Sequence, residues 1–376
     1  MSDGKDFRAA HASAPAWRDA AAAILAEIGE LTAAHQLGFV YVTDAYADAL
    51  GDIAVFLRQT TGVRHWVGTV GLGVVGMGKE YFDEPAMSVL VTPLDESAYR
   101  LFTDIEGDAD EIRRANEDWL AKADTPLAIV HADPRIEDVV GRIEGFAKAT
   151  NSFLAGGLTA SRGQFTQLAG EVDEGVLSGV MMSLHEVPVQ LGLTQGCSPI
   201  GPSRTVTGAE DNILFSIDGR PALEVLKEDI GEVLSRDLKR ISGYIFAALP
   251  VPGSDTADYL VRNLVGIDQE AGAVAIGEAV TTGSTVMFCR RDTDSSIEDL
   301  KRMLNDLKRR AGGGEIKGGL YFSCVARGPN QFGPDSQELG IIRDTLGEFP
   351  LAGLFANGEI SNDRLYGYTG VLALFL

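Results

Sequence analysis

The chain lacks the features that mark several large protein classes. It has 376 residues, yet only three cysteines and five histidines, and no CxxC, HxxxH or HExxH spacing occurs in it. These spacings hold zinc in most small motifs, so their absence argues against a zinc centre, and we expect neither a metal nor another cofactor. An odd number of widely separated cysteines indicates free thiols in a reducing compartment.

Basic charge and long apolar runs are also scarce. The net charge is −22 and no run is rich in lysine or arginine, which argues against nucleic acid or an acidic membrane as a partner. No apolar stretch is long enough to span a bilayer. The segment Met1–Ala14 lacks the basic start and apolar stretch of a secretion signal. We therefore expect a cytoplasmic protein without membrane insertion.

What the sequence does contain is a unit that occurs three times. Each copy has a lead apolar run, an amphipathic stretch, an apolar run that breaks into glycines, and a final apolar run. The lead runs are Gly38–Asp44, Leu127–Asp133 and Leu320–Arg327, the glycine runs are Trp66–Gly73, Phe153–Gly157 and Leu351–Gly358, and the final runs are Met87–Val91, Gly179–Leu184 and Gly370–Leu376. This order predicts repeated strand–helix–strand–strand units in an α/β fold with mixed sheets.

The repeats predict two related domains. Residues 1–30 form an N-terminal tail and helix, residues 31–218 a first domain and residues 219–376 a second, with the boundary at an Asp-Gly turn. The segment 190–211 is rich in proline and glycine and is predicted to be a long ordered loop. Apolar runs and a helix between residues 244 and 307 predict a degenerate fourth copy of the unit.

Two glycine patterns resemble nucleotide-binding loops. Gly71–Gly76 satisfies GxGxxG, and Gly73–Lys79 comes close to a phosphate loop. A dinucleotide fingerprint needs a helix that starts at its third glycine, but further glycines and a proline interrupt this stretch. Glu80 also stands where a phosphate loop has serine or threonine. We therefore expect a glycine-rich turn here rather than a nucleotide site.

Two short segments near the C-terminus carry groups suited to chemistry. Cys324 ends a predicted strand beside Arg327 and Gly328, where a guanidinium can lower the pKa of a thiol and make it reactive; a buried strand cysteine with no chemical role is the alternative. Glu359 follows Asn357 and Gly358, either facing a cavity to receive an amine or completing a tight turn.

At these residues the chain resembles the FIST-domain family of bacterial and eukaryotic proteins. Tyr321–Gly328 (YFSCVARG) is similar to that family's strand ending in Cys-x-x-Arg-Gly, and Leu351–Ile360 (LAGLFANGEI) to its Gly-Glu-Ile turn. Phe153–Leu158 (FLAGGL) resembles its double-glycine strand, and Gly208–Leu223 its junction between the FIST-N and FIST-C regions. The chain departs from the family at Gly196–Pro199, where Gly-Trp-Arg-Pro is common, and at Gly68-Thr69.

The resemblance implies a sensory domain for a small ligand, such as an amino acid or a related metabolite, that signals through a protein partner. We accordingly expect a bacterial cytoplasmic sensor rather than an enzyme. In the mechanism that we expect, glycine amides and an arginine receive a carboxylate while Glu359 receives an amine. The predicted ligand-binding residues are Cys324, Arg327, Gly328, Asn357, Gly358, Glu359, Arg290, Gly156 and Gly157. The alternatives are an enzyme that uses Cys324 as a reactive thiol and an interaction scaffold without a small ligand.

Overall fold

A computed structural model describes residues 6–105, 107–123, 125–251 and 258–376. The predicted α/β class with mixed sheets is confirmed. The chain divides into two compact units, the first formed by residues 1–194 together with 297–376 and the second by residues 195–296. The predicted domain boundary at residue 218 falls inside the second unit. Of the predicted N-terminal tail, residues 1–5 lie outside the described part.

The described residues form 26 strands and eight α-helices. Before the second unit these are β1 (Arg8–Ser13), α1 (Trp17–Ile28), β2 (Leu37–Thr43), α2 (Leu50–Thr61), β3 (His65–Gly71), β4 (Gly73–Gly76), β5 (Lys79–Phe82), β6 (Ala86–Thr92), β7 (Tyr99–Asp104), α3 (Ala109–Ala115), α4 (Glu117–Ala123), β8 (Leu127–Ala132), α5 (Val139–Thr150), β9 (Phe153–Leu158), β10 (Thr166–Ala169), β11 (Glu171–Glu174), β12 (Leu177–Met182) and β13 (Val189–Gln195). They continue with β14 (Cys197–Pro199), β15 (Arg204–Glu210), β16 (Ile213–Ile217), β17 (Arg220–Pro221), α6 (Ala222–Ser235), β18 (Ile245–Pro250), β19 (Tyr259–Asp268), β20 (Ala273–Ile276) and β21 (Thr285–Arg291). The last elements are α7 (Thr293–Arg310), β22 (Gly318–Cys324), α8 (Gln337–Leu346), β23 (Leu351–Ala356), β24 (Glu359–Ser361), β25 (Arg364–Tyr366) and β26 (Thr369–Phe375).

All three copies of the repeat lie in the first unit, copy 3 together with copies 1 and 2. In each copy the lead strand pairs in parallel with the glycine strand and antiparallel with the final strand. These pairs are β2 with β3 and β6 in copy 1, β8 with β9 and β12 in copy 2, and β22 with β23 and β26 in copy 3. Parallel neighbours need a crossover between them, and α2, α5 and α8 supply it.

Each copy also extends into the sheet of another copy. After the glycine strand the chain leaves its own sheet and adds a hairpin to the next one. Sheet 1 has the order β1-β6-β2-β3-β10-β11, sheet 2 the order β7-β12-β8-β9-β24-β25, and sheet 3 the order β13-β26-β22-β23-β4-β5. Copy 1 thus completes sheet 3, copy 2 completes sheet 1 and copy 3 completes sheet 2. The exchange is cyclic, so the three copies are related by an approximate threefold arrangement.

The three sheets share one inner core. Their inward-facing residues form a single apolar cluster that includes Phe39, Ile129 and Leu320, one from each lead strand. The outer face of each sheet packs instead on helices: α1 and α2 on sheet 1, α3 to α5 on sheet 2, and α7 and α8 on sheet 3. Polar side chains that point inward are therefore removed from solvent on all sides.

The repeated glycine has a structural cause that is the same in every copy. A Cβ atom at this position would lie between 1.7 and 1.9 Å from a carbonyl oxygen of the adjacent lead strand. These pairs of glycine and carbonyl are Gly68 with Val40, Gly156 with Val130, and Gly353 with Tyr321. No side chain fits at such a distance, so glycine permits the close approach of the two parallel strands.

The second unit differs from two predictions. Every strand pair described in it is antiparallel, and the pairing of β21 with β18 closes its sheet. The predicted fourth copy, which needs a parallel pair, is therefore wrong. The segment predicted as a long loop contains β13, β14 and β15 instead. Its prolines and the glycines Gly196 and Gly201 lie between these short strands or at a strand end, whereas Gly192 and Gly208 lie inside strands.

The glycine pattern Gly71–Gly76 forms no nucleotide loop. Its second half is the strand β4, which forms a hairpin with β5 through Met77 and Gly78. The expected glycine-rich turn is limited to Met77 and Gly78, because the residues from Gly73 to Gly76 pair with β5 as a strand. With no helix beginning at Gly76, this segment offers no helix N-terminus to a phosphate.

Candidate functional site

The lead strands of the three copies meet at one point of the inner core. Each strand contributes the residue that directly follows the carbonyl group in contact with the repeated glycine. These residues are Tyr41, His131 and Phe322, which we call the axial trio. Their ring centroids are 5.5 Å apart for Tyr41 and His131, 6.0 Å for Tyr41 and Phe322, and 6.2 Å for His131 and Phe322. The approximate threefold axis therefore passes between these three side chains.

Each member of the axial trio lies in a row of four residues across its sheet. Residues in register on neighbouring strands share a face, so each row points into the inner core. The rows are Ser88–Tyr41–Thr69–Gln167 in sheet 1, Ser178–His131–Gly157–Glu359 in sheet 2 and Val371–Phe322–Leu354–Val74 in sheet 3. Two rows are polar and the third is apolar. The polar groups thus lie on two of the three sides of the axis.

Glu359 is the carboxyl group of the sheet 2 row. Its side chain is fully buried, and its Oε2 accepts hydrogen bonds from the backbone N–H of Thr369 at 3.1 Å and from the Thr369 hydroxyl at 2.8 Å. Oε1 has no hydrogen-bond partner in the described part of the chain. Burial raises the pKa of Glu359 to about 8, although the two Thr369 bonds lower it. Oε2 is therefore fixed by Thr369, and the Cys324 thiol is a further hydrogen-bond donor to this carboxyl group.

Cys324 lies beside Glu359 at the end of β22. Its side chain is buried, and burial, followed by the charge of Glu359, raises the pKa of the thiol well above its ordinary value. Arg327 acts in the opposite direction but has a smaller effect. The shift is opposite to the one that a reactive thiolate requires, because the arginine does not offset burial. The geometry therefore favours the alternative of a buried, protonated cysteine.

Arg327 is held by a carboxylate that the sequence did not reveal. Glu338, from the first turn of α8, accepts from Arg327 Nε at 2.8 Å and lies 2.7 Å from its Nη2. The same carboxylate accepts from the Tyr321 hydroxyl at 2.6 Å, and its other oxygen accepts from the N–H of Gly328 at 2.9 Å. Both charged groups are buried. Nη1 of Arg327 makes no hydrogen bond to any described residue.

Glu80 is a second carboxyl group near this ion pair. It belongs to β5, accepts weakly from the N–H of Leu339 at 3.3 Å, and its pKa is raised to about 8 by burial and then by the charge of Glu338. Arg327 therefore has two carboxyl groups in its surroundings, and among the described residues only Glu338 forms an ion pair with it.

The polar members of the two rows near the axis are also incompletely paired. His131 Nε2 lies 3.2 Å from the Tyr41 hydroxyl, whereas its Nδ1 has no partner among the residues described. The hydroxyl oxygens of Ser88 and Ser178, the neighbours of Tyr41 and His131 in their rows, are buried and likewise unpaired within the described ranges. Burial lowers the pKa of His131 to about 3, so its imidazole is neutral.

Gln167 ends the sheet 1 row in the position that Glu359 has in sheet 2. Its Nε2 donates to the Thr159 hydroxyl at 2.6 Å, and that hydroxyl lies 2.7 Å from the hydroxyl of Thr69. Gln167 Oε1 is unpaired as far as the structure is described. The copies therefore place an amide, a carboxyl and an apolar group (Val74) at equivalent positions, and only one of them titrates.

The structure brings most of the predicted site residues together. Gly157 is in register with Glu359, Gly156 with Ile360, and Gly358 accepts a backbone hydrogen bond from Leu158 at 2.9 Å. Asn357 belongs to the same turn, but its side chain is exposed. Cys324, Arg327 and Gly328 lie at the adjoining end of β22. Arg290 lies apart from them in sequence and unit: it belongs to the second unit, where it is half-exposed and 3.1 Å from Asp292.

Sequence reasoning missed His131, Ser178, Gln167 and Glu338. None belongs to a recognisable motif, and His131 and Ser178 occur in strands that are otherwise apolar. The sequence carries no direct signal, because Tyr41 is the fourth residue of its lead run, His131 the fifth and Phe322 the third, and their equivalence is seen only in the strand register. A histidine at a position that is aromatic in the other copies distinguishes that copy from them.

The fold and these residues define a protein with three copies of one α/β unit around a partly polar centre. The chain belongs to the FIST family. Residues 36–220 match the FIST N domain and residues 222–362 the FIST C domain. FIST domains are generally taken to be sensory domains for small ligands in signalling. Within the described residues, no helix is long and apolar enough to cross a membrane, and no group of three or more His, Cys, Asp or Glu side chains is arranged to hold a metal ion.

Similar chains occur in mycobacteria. An uncharacterized protein of Mycobacterium tuberculosis, found in strains CDC 1551 and H37Rv, is 38% identical over 203 residues, which is 51% of this chain and 51% of the relative. The match thus spans about half the length of these relatives. An uncharacterized protein of Mycobacterium bovis is 29% identical over 351 residues, 88% of each chain.

Proposed function

We propose that the protein is a cytoplasmic sensor that binds an amino acid or a related metabolite at the buried groups around Cys324, and that it signals through a partner protein. The observation that carries the proposal is the unpaired Oε1 of Glu359. A buried polar atom left without a hydrogen bond costs about 1–3 kcal/mol, so we expect a ligand atom or an ordered water to pair it.

The second anchor of the proposed site is Arg327. Glu338 occupies its Nε and Nη2, but Nη1 is buried and unpaired within the described chain. Glu359 and Arg327 lie close enough for each to affect the pKa of Cys324. In the proposed complex the ligand's ammonium contacts the Glu359 carboxyl, which faces the inner core, and its carboxylate contacts Arg327, which is held by Glu338 and lies near Tyr321 on the outer face of sheet 3.

Glycine residues allow the backbone to pack closely beside Glu359. Gly157 and Gly358 have no side chains beside Glu359, and a Cβ at Gly157 would meet the Ala356 methyl group at 2.6 Å. A side chain at Gly157 would therefore clash with Ala356. The proposal accordingly includes Gly156, Gly157, Asn357 and Gly358 as backbone that shapes the site, whereas Arg290, in the second unit, is left out of it.

Calorimetric titration of the full chain with the standard L-amino acids tests the proposal. We expect at least one to bind, and its binding to weaken about 10-fold or more in Glu359→Gln and in Arg327→Lys. Removal of the amine or the carboxylate from the ligand should have a similar effect on the wild type. Asp133→Asn is the matched control, because that buried carboxyl group already accepts from Arg135 at 2.6 Å and from the N–H of Gly175 at 2.9 Å.

Either of two results of this titration would overturn the proposal. If no amino acid binds, or if Glu359→Gln and Arg327→Lys bind as tightly as the wild type, the ligand does not use these two groups. If Asp133→Asn weakens binding as much as Glu359→Gln, the losses reflect general damage to the fold rather than contact with the ligand.

A further inference from the structure

Each copy of the repeat opens with an edge strand and with helix on the outer face of its sheet. These are β1 and α1 in copy 1, β7 with α3 and α4 in copy 2, and β13 and α7 in copy 3. The opening helix has 12 residues in copy 1 and 18 in copy 3, whereas in copy 2 it is split into two helices of seven residues each. The split lies at Asn116, whose φ of −119° and ψ of 17° are not helical. Copy 2 thus departs from the threefold pattern at this point.

A cleft opens where this helix is split. Its volume is about 450 Å³, and residues of both helices, of the start of β7 and of the end of β12 line it. Its buried lining residues are Trp119 and Ala123 of α4, and Ser183, which directly follows β12. The helices therefore cover the outer face of sheet 2 incompletely at this end.

Arg100 supplies a half-buried positive charge to the cleft. Its Nη1 donates to the carbonyl oxygens of Glu96 at 2.9 Å and Tyr99 at 2.7 Å, and its guanidinium carbon lies 5.4 Å from the centre of the Trp119 ring. Across the ranges that the structure describes, no carboxylate forms an ion pair with it, and its Nε and Nη2 make no hydrogen bond. A guanidinium that is held in place but lacks a counter-charge suits an anion.

Copy 1 contains an equivalent arginine in a different setting. In strand register, Arg8 of β1 is opposite Val91 on β6. Arg100 of β7 is opposite Met181 on β12, and both positions lie three residues beyond the row of the axial trio along the final strand. Arg8 lies 4.0 Å from an Asp6 oxygen, and the helix of its copy, α1, is continuous. Copy 1 therefore provides an internal comparison for Arg100.

Ser183 is the second polar group of the cleft. Its side chain is 4% exposed, its N–H donates to the carbonyl oxygen of Ala98 at 2.9 Å, and its hydroxyl makes no hydrogen bond to another described residue. Met181, opposite Arg100, comes two residues before Ser183 on the chain. Arg100 and Ser183 are therefore diagonal neighbours on the outer face of sheet 2, with Cα atoms about 7–8 Å apart. One anionic group can contact both side chains.

We propose that this cleft binds a small organic monocarboxylate, on the opposite face of sheet 2 from Glu359. The ligand's carboxylate pairs with Arg100 and accepts a hydrogen bond from the Ser183 hydroxyl. Its apolar part lies against Trp119 and Ala123. The Trp119 ring is a fixed surface for it, because the indole N–H donates to a backbone carbonyl at 2.7 Å.

The charges at the rim favour a single anionic group. The rim carries two cations and three carboxylates, all of them exposed: Arg114, Lys122, Glu117, Asp118 and Glu186. It therefore repels a ligand with several negative charges, such as a polyphosphate. Solvent screens the half-buried guanidinium of Arg100 less than it screens these exposed groups, so one carboxylate is attracted there.

Butyrate and its uncharged analogue butyramide are the probes, both added to the full chain. The chain has three tryptophans, so the indole N–H signal of Trp119 in a nitrogen–proton NMR spectrum is assigned with Trp119→Phe, and the signals of Trp17 and Trp66 are internal references. We expect butyrate to shift the Trp119 signal saturably, and butyramide to bind about 10-fold or more weakly. Butyrate lacks the ammonium that the proposal for Glu359 requires, so the two proposals succeed or fail separately.

Substitution of Arg100 tests the assignment. Arg100→Gln should weaken butyrate binding about 10-fold or more and Ser183→Ala by less, whereas Arg8→Gln, the matched control, should leave it unchanged. Arg100→Lys keeps the charge without the planar fork, so it should fall between wild type and Arg100→Gln, and it replaces that variant should Arg100→Gln fail to fold.

Three results would overturn this inference. The first is the absence of a saturable shift of the Trp119 signal with butyrate, and the second is equal binding of butyramide. The third is butyrate binding that is unchanged in both Arg100 variants. Equal losses in Arg8→Gln and Arg100→Gln would assign the effect to net charge and would overturn the inference as well.

Discussion

The Tyr41 hydroxyl lies 3.2 Å from His131 Nε2, and the two residues occupy equivalent positions in the first and second copies of the repeat. Phe322, the equivalent residue of copy 3, completes the trio. A threefold arrangement of identical residues would make all sides of the axis alike. Here the three copies have diverged to a phenol, an imidazole and a phenyl ring, so the centre of the unit has two polar sides and one apolar side.

The repeated glycine should be among the positions least tolerant of change. Gly353→Ala places a Cβ 1.8 Å from the Tyr321 carbonyl oxygen, and the parallel pair of β22 and β23 must separate to admit it. We expect the free energy of unfolding to fall by at least about 3 kcal/mol. Chemical denaturation measures this loss.

Gly340→Ala is the control for that substitution. Gly340 lies inside α8, where a Cβ would meet nothing within 4 Å, so alanine should leave stability unchanged or raise it by up to about 1 kcal/mol. Similar losses in the two variants would show that the close strand approach does not explain the repeated glycine.

The buried ion pair between Arg327 and Glu338 should be essential to stability. Glu338→Gln leaves the guanidinium without its counter-charge, and we expect a loss of about 3 to 5 kcal/mol in the free energy of unfolding. Asp344→Asn breaks a pair with Arg343 in which both side chains are largely exposed, so it should cost less than about 1 kcal/mol.

A double replacement separates the charge from the packing. Arg327→Met combined with Glu338→Leu removes both charges, and we expect it to be more stable than Glu338→Gln alone, because no charge is left buried without a partner. A double variant that is less stable than Glu338→Gln would contradict this account.

The stability of the protein should depend on Glu359 in a defined range of pH. The pKa of this carboxyl group is about 8 in the folded chain and close to 4.5 when unfolded. Between these values the folded state holds a proton that the unfolded state has lost, so its contribution decreases as pH rises, by at most about 1.4 kcal/mol per pH unit, and is lost above pH 8.

Glu359→Gln isolates this dependence. The difference in unfolding free energy between wild type and variant should decrease from pH 4.5 to 8 and then become constant. Glu80, whose pKa is also about 8, acts in the same direction but is present in both proteins, so the difference cancels it. A difference that stays constant from pH 4.5 to 8 would mean that Glu359 titrates normally in the fold.

Sequence reasoning predicted the scaffold well because the repeat imposes it three times. The lead strands, the crossover helices and the close glycines recur at similar intervals, and hydrophobic periodicity locates such elements within one copy. The exchange of hairpins among the sheets was not predicted, since it depends on where the chain goes after Gly71, Leu158 and Ala356. No local pattern encodes that choice.

The site was predicted only in part, because local sequence patterns reveal some of its residues but not the partners that tertiary packing brings to them. Glu359 and Cys324 stand out beside glycine turns, and the structure brings them together at the ends of β22 and β24. The partner of Arg327 was missed because Glu338 looks like an ordinary exposed residue of an amphipathic helix, and only packing of α8 on sheet 3 buries it. Burial of a charged side chain is set by tertiary contacts that the sequence of one helix does not contain.

Cys324 should be unreactive in the folded protein. Its thiol is buried, and burial together with the charge of Glu359 raises its pKa, so the thiolate that alkylating reagents attack is rare at neutral pH. We expect iodoacetamide to modify Cys324 at least about 100-fold more slowly than a free thiol at pH 7.5, because reaction requires local opening of the fold.

Mass spectrometry of the digested protein distinguishes modification of Cys324 from that of Cys197 and Cys289, which are also buried. In urea all three should react at the rate of an unfolded peptide. A rate at Cys324 in the native protein equal to that of a free thiol would instead revive the alternative of a thiol enzyme.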